Sequence, residues 1–173
     1  MALVVLRPAT LADVPVLQLW DEEPHVIAAS GEDDAIDWPA ELVETGDWAE
    51  QLIAEEDGRP VGVVQIIDPH LDPTHYWGDG DPGLRAIDIW IGLRGDLGRG
   101  LGSEMMRQAL DRCFAAPDVT AVMIDPLESN VAARRFYERQ GFIGVGPRTF
   151  GADDCWVYRL DRQAWTAGST AAP

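Results

Sequence analysis

Three glycines at alternate positions stand in the run Leu97-Gly98-Arg99-Gly100-Leu101-Gly102-Ser103. Glycine has no Cβ, so the chain can turn tightly there and its amides can closely approach an anion. A helix opening at such a turn adds unpaired N–H groups and a positive dipole end, together a seat for phosphate oxygens. Tyr137 carries a phenolic proton seven residues after Asn130, which puts the two on one helix face about 10 Å apart. Asp88 lies between isoleucines in mid-strand. Buried without partners, a carboxylate there is costly, so it faces a polar cleft, pairs with Arg85 or another arginine, or lies on a wet sheet face. Asp125, before Pro126, sits at the carboxyl end of a central strand, where ligand crevices open in α/β sheets. Asp81 precedes Pro82-Gly83. Both aspartates suit turns, and both can grip ammonium groups of a polycation.

These groups need elements to position them. Residues 84–92 alternate, with Ile87, Ile89 and Ile91 on one face and Ala86, Asp88 and Trp90 on the other, which predicts a strand. Residues 104–116 predict a helix that buries Met106, Ala109, Leu110 and Cys113 or Phe114. Residues 119–125 read as a short strand covered on both faces. Ser129 or Asn130 caps the next helix, which Gly141 terminates. A final hairpin is expected from residues 142–145 and 155–160, turning at 151–154. Earlier, residues 3–6 predict the first strand, and Thr10 with Asp13 resembles a capping arrangement for a helix reaching about Trp20. Residues 48–56 and 60–68 predict two strands joined at Asp57-Gly58-Arg59. Residues 68–83 form a loop rich in Pro, Gly and Asp. One domain over residues 1–162 and a flexible tail over 163–173 complete the expected organisation.

The formal charge is −17, from 13 basic and 30 acidic residues, and every basic residue is arginine. Such a surface repels nucleic acid and anionic lipid and gathers cations. No apolar run approaches the roughly 18 residues needed to cross a bilayer, and the start lacks a signal-peptide layout, so a cytoplasmic protein is expected. Cys113 and Cys155 have neither disulfide-scaffold nor metal-ligand spacing, and no metal is expected. Between Pro8 and Gly58 there is no basic residue, while acids gather at Glu22, Glu23, Glu32, Asp33, Asp34, Asp37, Glu41, Glu44 and Asp47. The weakly patterned residues 21–47, with a short helical piece at 39–44, read either as a substrate-facing lid or as a solvated acidic face.

The glycine turn, the strand before it, the helix and strand after it, and the run Asn130-Val131-Ala132-Ala133-Arg134-Arg135-Phe136-Tyr137-Glu138-Arg139-Gln140-Gly141-Phe142 together resemble the GNAT superfamily of acyl-CoA-dependent N-acyltransferases. The resemblance implies an α/β (α+β) GNAT fold, a mixed, mostly antiparallel sheet of about six to seven strands with helices on both faces. It implies that Leu97, Gly98, Arg99, Gly100, Gly102 and Ser103 hold the diphosphate of acetyl-coenzyme A. Trp90, Ile91, Asn130 and Ala133 line the rest of that cofactor. Tyr137 becomes the acid that protonates the departing thiolate.

The runs Asp81-Pro82-Gly83-Leu84-Arg85-Ala86-Ile87-Asp88, Ala116-Pro117-Asp118-Val119-Thr120 and Asp125-Pro126 look like the aminoglycoside 6′-N-acetyltransferase branch in particular. In that branch the aspartates matching Asp81, Asp88 and Asp125 bind the drug's amines, and Asp88 is the base. Two departures stand out. The branch carries a tryptophan pair shortly after the His25 position, where this chain has Ala28-Ala29-Ser30, leaving Trp38 as the substitute for stacking on a sugar. The wider superfamily often has Gln or Arg at Leu97, a position serving through its backbone amide. The implied activity is direct acetyl transfer, in a ternary complex, to a primary amine of a cationic small molecule, by a monomer or homodimer without nucleic-acid or membrane partners. The alternatives are another amine (a polyamine, a siderophore hydroxylysine or a protein amine) and a non-catalytic acyl-CoA or cation binder.

Overall fold

The turn at Asp57 and Gly58 sets the first register of the sheet. Both residues take positive φ, 50° and 83°, as a two-residue type I′ hairpin turn requires. In the computed structural model, which describes residues 3–31, 36–44 and 46–170, this turn folds β2 (Ala49–Glu56) back on β3 (Arg59–Ile67). Glu32, Asp33 and Asp34 of the acidic stretch, and residues 171–173 of the expected tail, lie outside the described residues.

The remaining strands are β1 (Val4–Pro8), β4 (Leu84–Ile91), β5 (Ala121–Ile124), β6 (Ile143–Phe150) and β7 (Asp153–Asp161). They form a seven-stranded sheet in the order β1-β2-β3-β4-β5-β7-β6 among the described residues. Neighbours are antiparallel except β4 and β5, which run parallel. That parallel ladder stops at Ala86↔Met123, although β4 continues to Ile91. The two central strands therefore part beside Asp88, and a cleft opens there.

Helices cover both faces. α1 (Val14–Asp21), α2 (Pro24–Ala29) and α3 (Trp38–Glu44) lie on one side; α4 (Leu101–Ala115) and α5 (Val131–Arg139) lie on the other, and α6 (Arg162–Thr170) follows the sheet. Alternation along the strands divides the core accordingly. Leu52, Val64 and Ile87, with Ile89 and Ile91 against them, join Met105, Met106 and Leu110 of α4 in the main core. Ile53 and Val63, with Trp90 against them, face Leu17, Trp20 and Trp38 in a second core under α1–α3.

Three expectations are corrected. The helix predicted from residue 104 begins at Leu101, because Gly100 (φ 83°) ends the turn as its N-cap, and this places Gly102 inside the first helical turn. The last hairpin is longer than residues 142–145 and 155–160. Gly144, Gly146 and Pro147 hide the strand period, and a register shift between Gly144 and Gly146 absorbs the interruption. Residues 163–170, expected as a flexible tail, belong to α6. Its anchors are Arg162, which donates to the carbonyls of Phe114, Val119 and Ala116 near the end of α4, and Trp165, stacked on Phe114 at 6.3 Å. Small polar residues around them disguised both.

Candidate active site

Asp88 occupies the mid-point of β4, half-buried, at the place where β4 and β5 part. Asp125 follows the last residue of β5. Tyr76, from the loop at residues 68–83, donates its hydroxyl to Asp125 Oδ2 at 2.7 Å. Burial first, then the charge of Asp125, raises the Tyr76 phenol well above its ordinary value, with a smaller contribution from Asp88. Tyr137, 7% exposed on α5, behaves alike: burial first, then the charges of Asp88 and Asp125, push its phenol up. The structure thus brings Asp88, Asp125 and Tyr137 into one electrostatic neighbourhood. Tyr76 joins them, a residue the sequence did not single out.

One wall of this cleft is aromatic. Tyr76 stacks on Phe150 at 4.4 Å with 5° between the planes, Trp77 meets Phe150 edge-on at 5.2 Å, and the Arg148 guanidinium lies 4.5 Å over the same ring. These rings come from a loop and from β6, so only the folded chain assembles them. The floor is polar. In register across three strands stand Gln51, Gln65 and Asp88. Ile53, Val63 and Trp90, each two residues away along its own strand, share the core beneath α1–α3, so the polar row faces the same side. Gln51 Nε2 donates to Glu41 Oε1 of α3 at 2.8 Å, while its Oε1 is buried without a partner.

The acidic segment reaches over this side. His25 of α2 meets the Ile91 carbonyl through Nε2 at 2.9 Å, which makes Nε2 the protonated nitrogen. A Cβ added at Gly31 would overlap the Asp153 carboxylate, so the chain after α2 lies directly against the β6–β7 turn. A cavity of about 480 Å³ is lined by Leu127, Glu128, Ser129, Asp153 and Asp154, a few residues along the chain from Asp125.

Two expected substrate contacts lie elsewhere. Asp81 Oδ1 accepts the Gly83 amide at 2.7 Å, closing its own turn before β4 begins at Leu84. Four strand residues, about 13 Å, separate Leu84 from Asp88, so Asp81 does not reach the cluster. Trp38 is fully buried: its indole donates to Asp21 Oδ2 at 2.6 Å and its ring packs 6.0 Å from Trp90. It is a core residue rather than an exposed stacking surface, and Asp21 satisfies its polar edge.

The glycine turn, which follows β4 in the chain, has open space at Gly98 and Gly100. Gly98 and Gly100 have φ of 74° and 83°, and a Cβ at either would meet nothing within 4 Å. Gly100 supplies no side-chain cap to α4. The first-turn amides, including those of Gly102 and Ser103, therefore retain the donor capacity of a helix N-terminus. Leu97 is exposed and extended (φ −67°, ψ 148°). Ser103 accepts from Gln140 Nε2 of the α5 end at 3.1 Å. Asn130 caps α5, its Oδ1 accepting the Ala133 amide at 3.1 Å, and Ala133 packs on the main core. Trp90 and Ile91 end β4 facing opposite cores, the Trp90 indole N–H buried without a partner. Arg99 does not project freely from the turn; its guanidinium is held by Asp96 and Glu56. The uncovered amides of this turn suit an anionic group, and the carboxylates of Asp88 and Asp125 suit a cation.

Comparison with known proteins agrees. A family model described as an acetyltransferase (GNAT) domain matches residues 9–150. An aminoglycoside N(6′)-acetyltransferase type 1 of Klebsiella pneumoniae is 30% identical over 156 residues, covering 84% of this chain and 77% of the relative. A lysine N-acyltransferase, MbtK, of Mycobacterium tuberculosis is 27% identical over 175 residues, covering 96% of this chain and 79% of the relative. The crystal structure of the aminoglycoside acetyltransferase AAC(6′)-Ib with coenzyme A and kanamycin superposes with a TM-score of 0.86 at 27% identity, covering 96% of this chain and 99% of that one.

Proposed function

We propose that this chain, which belongs to the GNAT family of acetyltransferases, transfers an acetyl group from acetyl-coenzyme A to a primary amine of a cationic small molecule, the 6′-amine of an aminoglycoside. The observation that carries this reading is geometric: β4 and β5 cease to pair just before Asp88, and Asp125, held by the Tyr76 hydroxyl, stands at the end of β5.

Residues 98–103 fit the cofactor's diphosphate because their glycines leave the amides uncovered and α4 has no side-chain cap. Trp90, Ile91, Asn130 and Ala133 would border its pantetheine arm. When bound, acetyl-coenzyme A supplies a thioester-activated acetyl group and a thiolate leaving group. Asp125, held by Tyr76, and Asp88 attract the acceptor's ammonium. Asp88 takes the proton that an amine must lose before it can attack, directly or through one water. The Tyr137 hydroxyl, kept protonated by burial and by its acidic neighbours, is the proton source for the leaving side. Cys113 is not a suitable acyl carrier: it is buried in the main core, and burial pushes its thiol up to about 12. Cys155 is buried as well, clustered with Phe150 and Val157, so neither cysteine is exposed to carry the acyl group and the amine would attack the thioester directly.

The likeness to MbtK over nearly the whole chain favours a second reading, a lysine-type acceptor with a longer acyl donor. One screen separates the two. Free thiol is measured with acetyl-, butyryl- and longer acyl-coenzyme A against kanamycin, spermidine and lysine derivatives. Aminoglycoside acetylation is expected to give the highest kcat/KM. Activity confined to lysine derivatives with long acyl donors would replace the first reading by the second.

A further inference from the structure

Arg99 sits in the middle of the glycine turn, yet its charge is already engaged. Nη1 donates to Asp96 Oδ1 at 2.5 Å and Nη2 to Glu56 Oε1 at 2.6 Å. Arg59, the first residue of β3, reaches the same two carboxylates. Its Nη1 donates to Asp96 Oδ2 at 2.8 Å; its Nη2 donates to Asp96 Oδ1 at 2.9 Å and to Glu56 Oε2 at 2.8 Å. Two cations and two anions close a ring in which all four carboxylate oxygens accept a bond. The guanidinium groups are half-exposed and lie over carboxylates that are themselves about 9% exposed. Arg99, then Arg59, hold the Glu56 carboxyl below its usual range; Arg59, then Arg99, do the same for Asp96, so the ring stays ionised at neutral pH.

The ring spans two elements that are remote in sequence. Glu56 and Arg59 flank the β2–β3 turn; Asp96 and Arg99 bracket the first half of the glycine turn. Gly98 and Gly100 have no side chains with which to hold their own left-handed conformations, and their Cα positions face open space. A turn of this kind loses much conformational freedom when it closes on a ligand unless its shape is fixed beforehand. An isolated surface ion pair fixes little, but a closed network with a two-pronged Arg59–Asp96 pair has the geometry that does.

We propose that the Glu56–Arg59–Asp96–Arg99 ring pre-shapes the diphosphate turn, so that Arg59 and Glu56 of the β2–β3 hairpin are positioning residues for coenzyme A. Arg99 serves this clasp through its side chain and meets the diphosphate only through its backbone. The inference rests on the reading of that turn as the coenzyme A seat.

Calorimetric titration of coenzyme A into wild type, Arg59→Gln, Asp96→Asn and the double variant tests it. Arg59→Gln is expected to raise Kd roughly five- to tenfold while kcat at saturating acetyl-coenzyme A stays within about twofold. Asp96→Asn should act alike, and the double variant should bind no worse than either single one, because both remove the same clasp. Circular dichroism and melting temperature report folding. Should Arg59→Gln not fold, Arg59→Lys decides, since it keeps the charge and loses the fork. An unchanged Kd in a folded Arg59 variant, or fully additive losses, overturns the ring's role. Wild type that binds no coenzyme A overturns the reading of the turn itself, and this inference with it.

Discussion

Burial first, then the charges of Asp88 and Asp125, raise the Tyr137 phenol above its ordinary value. A phenol so placed suits the proposed role of proton donor, with the proposed base a carboxylate. Asp88→Asn and Tyr137→Phe are each expected to lower kcat by about 10²- to 10⁴-fold, with coenzyme A affinity kept, as read by thiol release and by calorimetry. Tyr76→Phe should instead raise the acceptor's KM, because Asp125 loses the hydroxyl that donates to its Oδ2. Turnover unaffected by both Asp88→Asn and Tyr137→Phe would remove these residues from the chemistry. The positions of Asp88 on its strand, of Asp125 just past its strand and of Tyr137 on its helix were legible in the sequence pattern, whereas their expected roles came from the family resemblance. Tyr76, Gln51 and Gln65 were not, since their positions depend on a loop's path and on cross-strand register. Trp38 misled for a plain reason: a tryptophan among acids looks exposed, and nothing local shows that Asp21 bonds its indole in the core.

The parting of β4 from β5 and the N-terminus of α4 are the two elements on which the site depends. Sequence pattern gave the strand and the helix, but not the start of the helix, because glycine carries no period and Gly100 acts as a cap only through its φ of 83°. Replacing it by alanine meets no steric neighbour, so the cost is backbone strain alone, about 1–2 kcal/mol for a left-handed non-glycine residue. Gly100→Ala is therefore expected to melt a few degrees lower and, as the turn relaxes, to bind coenzyme A less tightly than wild type. Gly95→Ala, with equal space and no positive φ, is the control and should change neither. Equal losses in both variants would contradict the assignment of the turn. The α6 helix was invisible for the opposite reason: its anchors are single contacts from Arg162 and Trp165, which no periodic pattern announces.

Across the whole molecule, charge favours one side of the reaction over the other. A net charge of −17 would attract the proposed polycationic acceptor and repel an anionic cofactor, so the cofactor would need local donors such as those of the glycine turn while the acceptor would benefit from the global field. Salt screens that field over about 10 Å at 0.1 M. The acceptor's KM is accordingly expected to rise with ionic strength, and that of acetyl-coenzyme A to fall or hold steady. The most direct measurement is made on purified protein with acetyl-coenzyme A and kanamycin, following free thiol and locating the new acetyl group by NMR. Thiol release that requires kanamycin, and a single new acetyl group on the 6′-amine, are expected. Thiol release no faster with kanamycin or any other amine than in buffer, from folded protein that binds coenzyme A, would contradict the proposed transfer.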